Sequence, residues 1–340
     1  MDALQEALSN LREPARLAPT HTAARLEDAL RFVGSDLAEV EARLRSWSEK
    51  GVAPGTDAAR HLLLAGGKRV RPLLVLLAAR AFGGVSEAAL DLAAVAEMVH
   101  TATLLHDDVL DDASERRGVP VARRVYGNAV SVLAGDLLLV RSLEVAQRAD
   151  AARFPELLST LRALVEGEII QLRGRTRLDP SEETYFRIVR DKTASLFGWA
   201  AAAGARTQGA IAQAQEALTR FGLHLGVAFQ LVDDVIDYEG QGTGKTLFTD
   251  LGEGKITLPL ILALRDDASL LPEVERVRAG DAGPMTRIAA RVRELGTADR
   301  VRARARVETE AALAALATLP ASPARDLLAK VAEDLTIRVL

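Results

Sequence analysis

The chain carries the same acidic pentapeptide twice, Asp107-Asp108-Val109-Leu110-Asp111 and Asp233-Asp234-Val235-Ile236-Asp237, 126 positions apart. Both sit in apolar runs, LLHDDVLDD and FQLVDDVID, where clustered carboxylates are costly unless a cation meets them. On a helix the first and last Asp of each word fall at i and i+4. They then share a face about 6 Å apart along the axis, close enough to converge on one ion. An all-oxygen donor set selects a hard cation such as Mg²⁺, which keeps waters and binds substrate phosphates. One acidic word could be a solvated face; two in apolar settings point to metal.

The rest of the chain reads as helices. Of 340 residues 49% are hydrophobic and only 4% aromatic, which favours aliphatic helix packing and an all-α fold. Leu26, Leu30, Val33, Leu37, Val40 and Leu44 recur at three and four residues, predicting an amphipathic helix from about Ala23 to Ser48. Breaks are expected at Val52–Gly55, Gly83–Gly84, Gly118–Pro120, Leu178–Ser181, Gly204–Gly209, Glu239–Gly244, Leu271–Pro272, Gly280–Pro284 and Leu319–Pro323. No strand alternation and no long linker interrupts this pattern. The expectation is an N-terminal extension over 1–22 and a single large helical-bundle domain over 23–340.

With 43 Lys and Arg against 47 Asp and Glu, a net charge of −4, no basic field exists to gather nucleic acid. There is no cysteine, which excludes thiolate chemistry and disulfides. The opening MDALQEALSNLREPARL has charges where a signal peptide needs an apolar core. No uncharged apolar run reaches the roughly 18 residues of a membrane span. A cytoplasmic protein with no transmembrane segment is expected.

Local basic words answer the acidic ones. Gly66-Gly67-Lys68-Arg69-Val70-Arg71-Pro72 places three cations in four residues, beside glycines that allow close backbone approach and a proline suited to starting a helix. Arg116-Arg117-Gly118 follows Asp111 by five residues. Two guanidinium groups there suit a diphosphate, although an ion pair with Asp112 or Glu115 is the plain alternative. His100 precedes Asp107 by nearly two turns and shares its face, whereas His106 points elsewhere. Asp191-Lys192-Thr193-Ala194 and the run Gly244-Lys245, Thr249-Asp250-Leu251, Glu253-Gly254-Lys255 complete the set. Arg302, Arg304 and Arg306 read as a solvated face or an ion-pair ladder.

In order, GGKRVRP, HTATLLHDDVLDDASERRG, YGNAVSVLAGD, DKTA, GVAFQLVDDVID and GKTLFTDLGEGKITLP resemble the trans-isoprenyl diphosphate synthases, the polyprenyl synthetase family. The resemblance runs from about Leu37 to the C-terminal helices. It implies an all-α bundle of the isoprenoid synthase type and a Mg²⁺-dependent prenyltransferase. Such an enzyme joins an allylic diphosphate to isopentenyl diphosphate, releases diphosphate and repeats the step. By the same resemblance Asp107, Asp111 and Asp233 are Mg²⁺ ligands, supported by Asp108, Asp234, Asp237 and Asp250. Arg116, Lys192, Thr193, Gln230, Lys245 and Lys255 hold the allylic diphosphate. Lys68, Arg71, His100 and Arg117 hold isopentenyl diphosphate, with Phe229 near its hydrocarbon. A homodimer is the family's usual state.

Relatives that stop at fifteen carbons resemble one another in an aromatic residue four or five positions before the first acidic word. Here those positions are Thr103 and Ala102, small residues that leave a tunnel open. Products of twenty carbons or more are expected, and twenty-five or more rather than the geranylgeranyl alternative. Phe248 and Gly252 depart from the glycine and basic residue frequent in the last loop. A terpene cyclase would replace the second acidic word by a mixed Asn/Asp, Ser/Thr, Glu triplet. A regulatory partner subunit would lack an acidic or basic word, and all are present.

Overall fold

A computed structural model describes residues 27–116, 119–239 and 249–336. The expectations for the 1–22 extension, Arg117, Lys245 and Phe248 lie outside those residues. In chain order the helices are α1 (Gly34–Ser48), α2 (Gly55–Leu63), α3 (Val70–Ala81), α4 (Glu87–Leu110), α5 (Ala122–Tyr126), α6 (Asn128–Ala149), α7 (Phe154–Thr176) and α8 (Glu182–Val189). A π-helical turn, Arg190–Ala194, leads into α9 (Ser195–Arg206) and α10 (Ala212–Glu239). Then come α11 (Thr249–Gly252), α12 (Leu258–Asp266), α13 (Leu271–Arg278), α14 (Met285–Glu294), α15 (Thr297–Ala317) and α16 (Pro323–Thr336). The only strands among the described residues are β1 (Glu115–Arg116) and β2 (Val119–Pro120), antiparallel, with Arg116 opposite Val119. The fold is all-α, as composition and periodicity require.

The described residues divide into two compact units. The first holds those within Met1–Leu157, Ala200–Glu216 and Ala321–Leu328, and the second those within Leu158–Trp199, Ala217–Pro320 and Ala329–Leu340.

In the first unit, Leu30, Val33, Leu37, Val40 and Leu44 are all buried, so the three-and-four spacing is the inward stripe it predicts. Ser86 caps α4, its Oγ accepting from the Ala89 N–H at 3.2 Å. By length and composition α4 could cross a membrane, but 72% of its most apolar window is buried in protein, the mark of a core helix. It packs most extensively along α6. The sequence places a break from Gly204, yet α9 continues through it to Arg206. A Cβ at Gly204 would stand 1.8 Å from Val75 O, so glycine serves close helix contact there rather than a turn. The break comes later, over 207–211, with Gly209 at φ +72°.

The second unit is built on two apolar clusters. One gathers Tyr185, Val189, Leu231, Val235, Leu258 and Val301; the other gathers Tyr238, Leu251, Leu260, Val274 and Ile288. Each fully buried Leu, Ile or Val contributes about 1.5–3 kcal/mol relative to exposure, so these clusters fix α10 against its neighbours. Glycines set the closest approaches. A Cβ at Gly226 of α10 would meet Ala194 Cα at 2.5 Å, and one at Gly167 of α7 would meet Lys192 N at 2.9 Å. The π turn is thereby held within contact distance of both helices. On α15, Arg302 pairs with Asp299 and Arg304 with Glu182, matching the ion-pair reading of that stretch.

Candidate active site

Both acidic words occupy the last turns of long helices. In the first unit α4 ends at Leu110, and the Asp111 N–H closes the final turn on Asp107 O at 2.8 Å. That end is the negative pole of the helix dipole, and no basic residue stands in the last turn, so the clustered carboxylates are unfavourable there without a cation. Asp107 and Asp111 are half-buried, whereas Asp108 is fully buried. The chain reverses through Asp112, in the left-handed region at φ +53°, and β1 brings Arg116 back. Arg116 Nε and Nη2 donate to Asp108 Oδ1 at 3.0 and 2.8 Å. Arg123 secures the turn, donating to Ala113 O at 2.7 Å and pairing with Asp112. The plain alternative for Arg116 was Asp112 or Glu115; the pairing observed is with Asp108.

In the second unit α10 ends at Glu239, again with no basic residue in its last turn. Asp233 and Asp237 are half-buried at i and i+4, and Asp234 turns inward, 2% exposed. Tyr185 Oη donates to Asp234 Oδ2 at 2.5 Å, and Gln230 Nε2 donates to Oδ1 at 2.8 Å. Thr193 Oγ1 in turn donates to Gln230 Oε1 at 3.0 Å. Burial, and then the charge of Asp250, push the Asp234 carboxyl up to about 8 against the pull of hydrogen bonds from Tyr185 and Gln230. Asp237 Oδ2 accepts the Asp250 N–H at 3.3 Å. Lys192 is ion-paired with Glu168 of α7. Lys255 Nζ lies 2.6 Å from Glu253 Oε2, and Phe229 packs on Phe197 with ring centroids 5.5 Å apart.

The basic loop of the first unit divides its cations. Arg69 is buried and left-handed, φ +48°. Its Nη1 reaches Glu97 at 2.7 Å and its Nη2 reaches Leu63 O at 2.8 Å, while Nε donates to Glu41 at 2.5 Å. Burial opposes its charge, but Glu97 and Glu41 more than offset that and hold the guanidinium above its ordinary value. Lys68 and Arg71 on either side are only half-buried. Burial brings Arg71 down to about 10, with Glu97 opposing, so it stays charged at neutral pH. His100 is half-buried, and Thr103 Oγ1 donates to its carbonyl at 2.8 Å. His106 turns to Val132 O at 3.1 Å and Asp136 at 3.3 Å, away from Asp107 as helix geometry predicts. Ala102 is 2% exposed.

Among the described residues no group of three His, Asp or Glu side chains stands as a ready metal cage. The donors fit Mg²⁺ all the same: they are carboxylates only, paired at i and i+4, and Asp108 Oδ2 is buried with no hydrogen-bond partner among the described residues. A Mg²⁺ site completed by substrate phosphates needs no closed protein cage. Sequence reasoning passed over Tyr185, Glu168 and Arg69. Nothing along the chain marks Tyr185, because the π turn over Arg190–Ala194 shifts the register and its place beside Asp234 is set by packing. Glu168 offered only a carboxylate among the apolar residues of α7.

The sequence matches the Polyprenyl synthetase family over residues 55–284, a stretch that runs through both units. It is 35% identical over 309 residues to the octaprenyl diphosphate synthase of Escherichia coli K12, covering 89% of this chain and 96% of that one. In structure it resembles a decaprenyl diphosphate synthase from Rhodobacter capsulatus, TM-score 0.87 and 36% identity, over 93% of this chain and 99% of that one. A polyprenyl synthase from Caulobacter crescentus complexed with calcium and isoprenyl diphosphate gives a TM-score of 0.86 at 36% identity, covering 92% and 98% of the two chains.

Proposed function

This chain belongs to the polyprenyl synthetase family, and from that premise we propose how its residues divide the work of elongating a prenyl chain. It is a prenyltransferase that makes long trans-polyprenyl diphosphates. The observation that carries the site reading is that two Asp-Asp-x-x-Asp words end two helices at their negative poles, with no basic side chain in either last turn.

Asp107, Asp111 and Asp233 are the direct carboxylate ligands for Mg²⁺, with Asp108, Asp234, Asp237 and Asp250 in support. When bound, Mg²⁺ neutralises charge on the departing diphosphate. Arg116, Lys192, Lys245 and Lys255 hold the allylic diphosphate, while Thr193 and Gln230 stand near its C1 end, where their side-chain oxygens favour the cation that diphosphate loss leaves. Lys68, Arg71, His100 and Arg117 hold isopentenyl diphosphate, with Phe229 against its hydrocarbon.

The allylic C–O bond breaks with its electrons leaving on diphosphate, and the isopentenyl double bond adds to the allylic carbon. A proton is then lost to the released diphosphate, so no protein base is needed. Cations placed around the leaving group act where negative charge builds. Arg69, spent on Glu41 and Glu97, keeps the loop in shape so that Lys68 and Arg71 face the substrate.

Ala102 and Thr103 place no aromatic plug before the first word. Octaprenyl and decaprenyl synthases among the relatives support products longer than geranylgeranyl diphosphate. The two units act as one synthetase domain, which the unbroken family match supports. The protein is cytoplasmic and pairs with a second copy of itself. Val132, Leu133 and Val140 stand exposed on α6, the sort of apolar surface that a partner covers.

Purified protein given isopentenyl diphosphate with ten-, fifteen- and twenty-carbon primers should yield a Mg²⁺-dependent ladder, sized by chromatography, extending past twenty carbons. No consumption of isopentenyl diphosphate by the protein alone would overturn the reading.

A further inference from the structure

The π turn Arg190–Ala194 sits between α8 and α9, and its effect is on register. Tyr185 and Thr193 are eight residues apart. At about 100° per residue an uninterrupted α-helix would set them roughly 80° apart around the axis. One π insertion absorbs a residue and returns Thr193 to the face of Tyr185. Opposite that face, Gln230 and Asp234 stand at i and i+4 on α10. The four side chains join in one line: Tyr185 Oη to Asp234 Oδ2 at 2.5 Å, Gln230 Nε2 to Asp234 Oδ1 at 2.8 Å, and Thr193 Oγ1 to Gln230 Oε1 at 3.0 Å. The backbone is given no slack, because Gly167 and Gly226 let α7 and α10 close directly on the turn.

We propose that Tyr185 is a positioning residue of this site, acting through Asp234 to hold the Gln230 amide so that Gln230 Oε1 and Thr193 Oγ1 offer acceptor electrons to the allylic carbon. The inference rests on the function proposed above. Asp234 is 2% exposed, and each of its oxygens already accepts a bond, which fixes its rotamer. With Nε2 committed to Asp234, the amide presents its carbonyl end, and Thr193 spends its only hydroxyl proton on that carbonyl. Lone pairs then face the centre where cationic charge develops during diphosphate loss. Release of Asp234 lets the amide turn, and an N–H aimed at that centre opposes ionisation. Tyr185 itself is 6% exposed and packs on the Phe186 ring at 5.2 Å.

The test compares wild-type enzyme with Tyr185→Phe, Thr193→Val and Thr193→Ser. In Tyr185→Phe, kcat for condensation should fall at least tenfold, with KM for both diphosphates and the half-saturating Mg²⁺ concentration within twofold. Release of diphosphate from the primer alone, without isopentenyl diphosphate, should fall by the same factor because it reports ionisation. Thr193→Val should behave alike, and Thr193→Ser, which restores the hydroxyl, should recover kcat relative to Thr193→Val. The Tyr185→Phe/Thr193→Val pair should lose less than the product of the two single losses.

Wild-type kcat in Tyr185→Phe, a loss confined to KM, a raised Mg²⁺ requirement or full multiplicativity would each overturn the inference. If Tyr185→Phe does not fold, Tyr185→Phe/Asp234→Asn replaces the buried carboxyl by an amide of the same shape as its donor is removed; wild-type kcat in that variant would overturn it equally. An inactive wild type would instead count against the proposed function.

Discussion

Arg116 grips Asp108 from one side only: Nε and Nη2 both donate to Oδ1, at 3.0 and 2.8 Å, on a carboxylate with no exposed surface. The middle Asp of each acidic word is thus turned inward, held by Arg116 in the first and by Tyr185 with Gln230 in the second. The outer Asp residues stay half-buried. Each word is anchored through its centre and keeps its ends for a cation.

Removing the Arg116 side chain by Arg116→Leu leaves a buried carboxylate facing an apolar group. Because Arg116 is itself a third exposed, the expected loss is about 2–4 kcal/mol, below the upper range for a fully buried pair. Arg116→Lys should recover only part of it, since an ammonium cannot reproduce the fork. Urea denaturation of the three proteins checks the order.

Replacing Asp107 and Asp111 together with Ala should abolish Mg²⁺-dependent condensation and leave helicity intact by circular dichroism. Two like charges are also removed from the negative pole of α4, so thermal stability without metal should hold or rise slightly. Retained turnover would sink the metal assignment.

Ala102→Phe places an aromatic ring five residues before the first word at a position now 2% exposed. The product ladder should shorten while the first condensation continues. An unchanged ladder would mean that the growing chain does not pass Ala102.

Asp234 supplies a pH dependence. Its carboxyl lies at about 8 in the folded protein against about 3.9 in an unfolded chain. Between those values the folded state keeps a proton that the unfolded state has lost, so stability falls as pH rises through that window and levels off above it. The thermal midpoint in EDTA should decline from pH 5 to pH 8. Mg²⁺ with inorganic diphosphate should flatten the decline, and a midpoint rising with pH would contradict it.

Arg69→Met would leave Glu41 and Glu97 facing each other without their shared cation. A buried pair broken in this way costs about 3–5 kcal/mol, so calorimetry should show a marked drop in melting temperature. Arg71, half-buried two residues away, should cost far less on the same replacement.

The helical character, the inward stripe of α1 and the acidic words were legible because each is a matter of local periodicity and residue type. Gly204 was misread as a break because its reason lies on another helix, the Val75 carbonyl that would sit 1.8 Å from a Cβ. Residue type did not separate Arg69 from Lys68 and Arg71, and the resemblance only left it without a role; the approach of Glu41, 28 positions back, and Glu97, 28 positions on, shows it to be the one turned inward. Tyr185 looked like ordinary core until its hydroxyl met Asp234.

What the sequence determined by itself was chemistry that needs only neighbours along a helix: all-oxygen donors at i and i+4, basic words nearby, and small residues before the first Asp word. The tertiary structure decided which of those polar groups are spent on one another. A side chain can be either a structural anchor or a ligand depending on whether burial supplies it with a partner, and Arg116 for Asp108, Glu41 and Glu97 for Arg69, Glu168 for Lys192 and Tyr185 for Asp234 all come from other elements of the chain. Desolvation makes that pairing obligatory, and it happens only when the chain has packed.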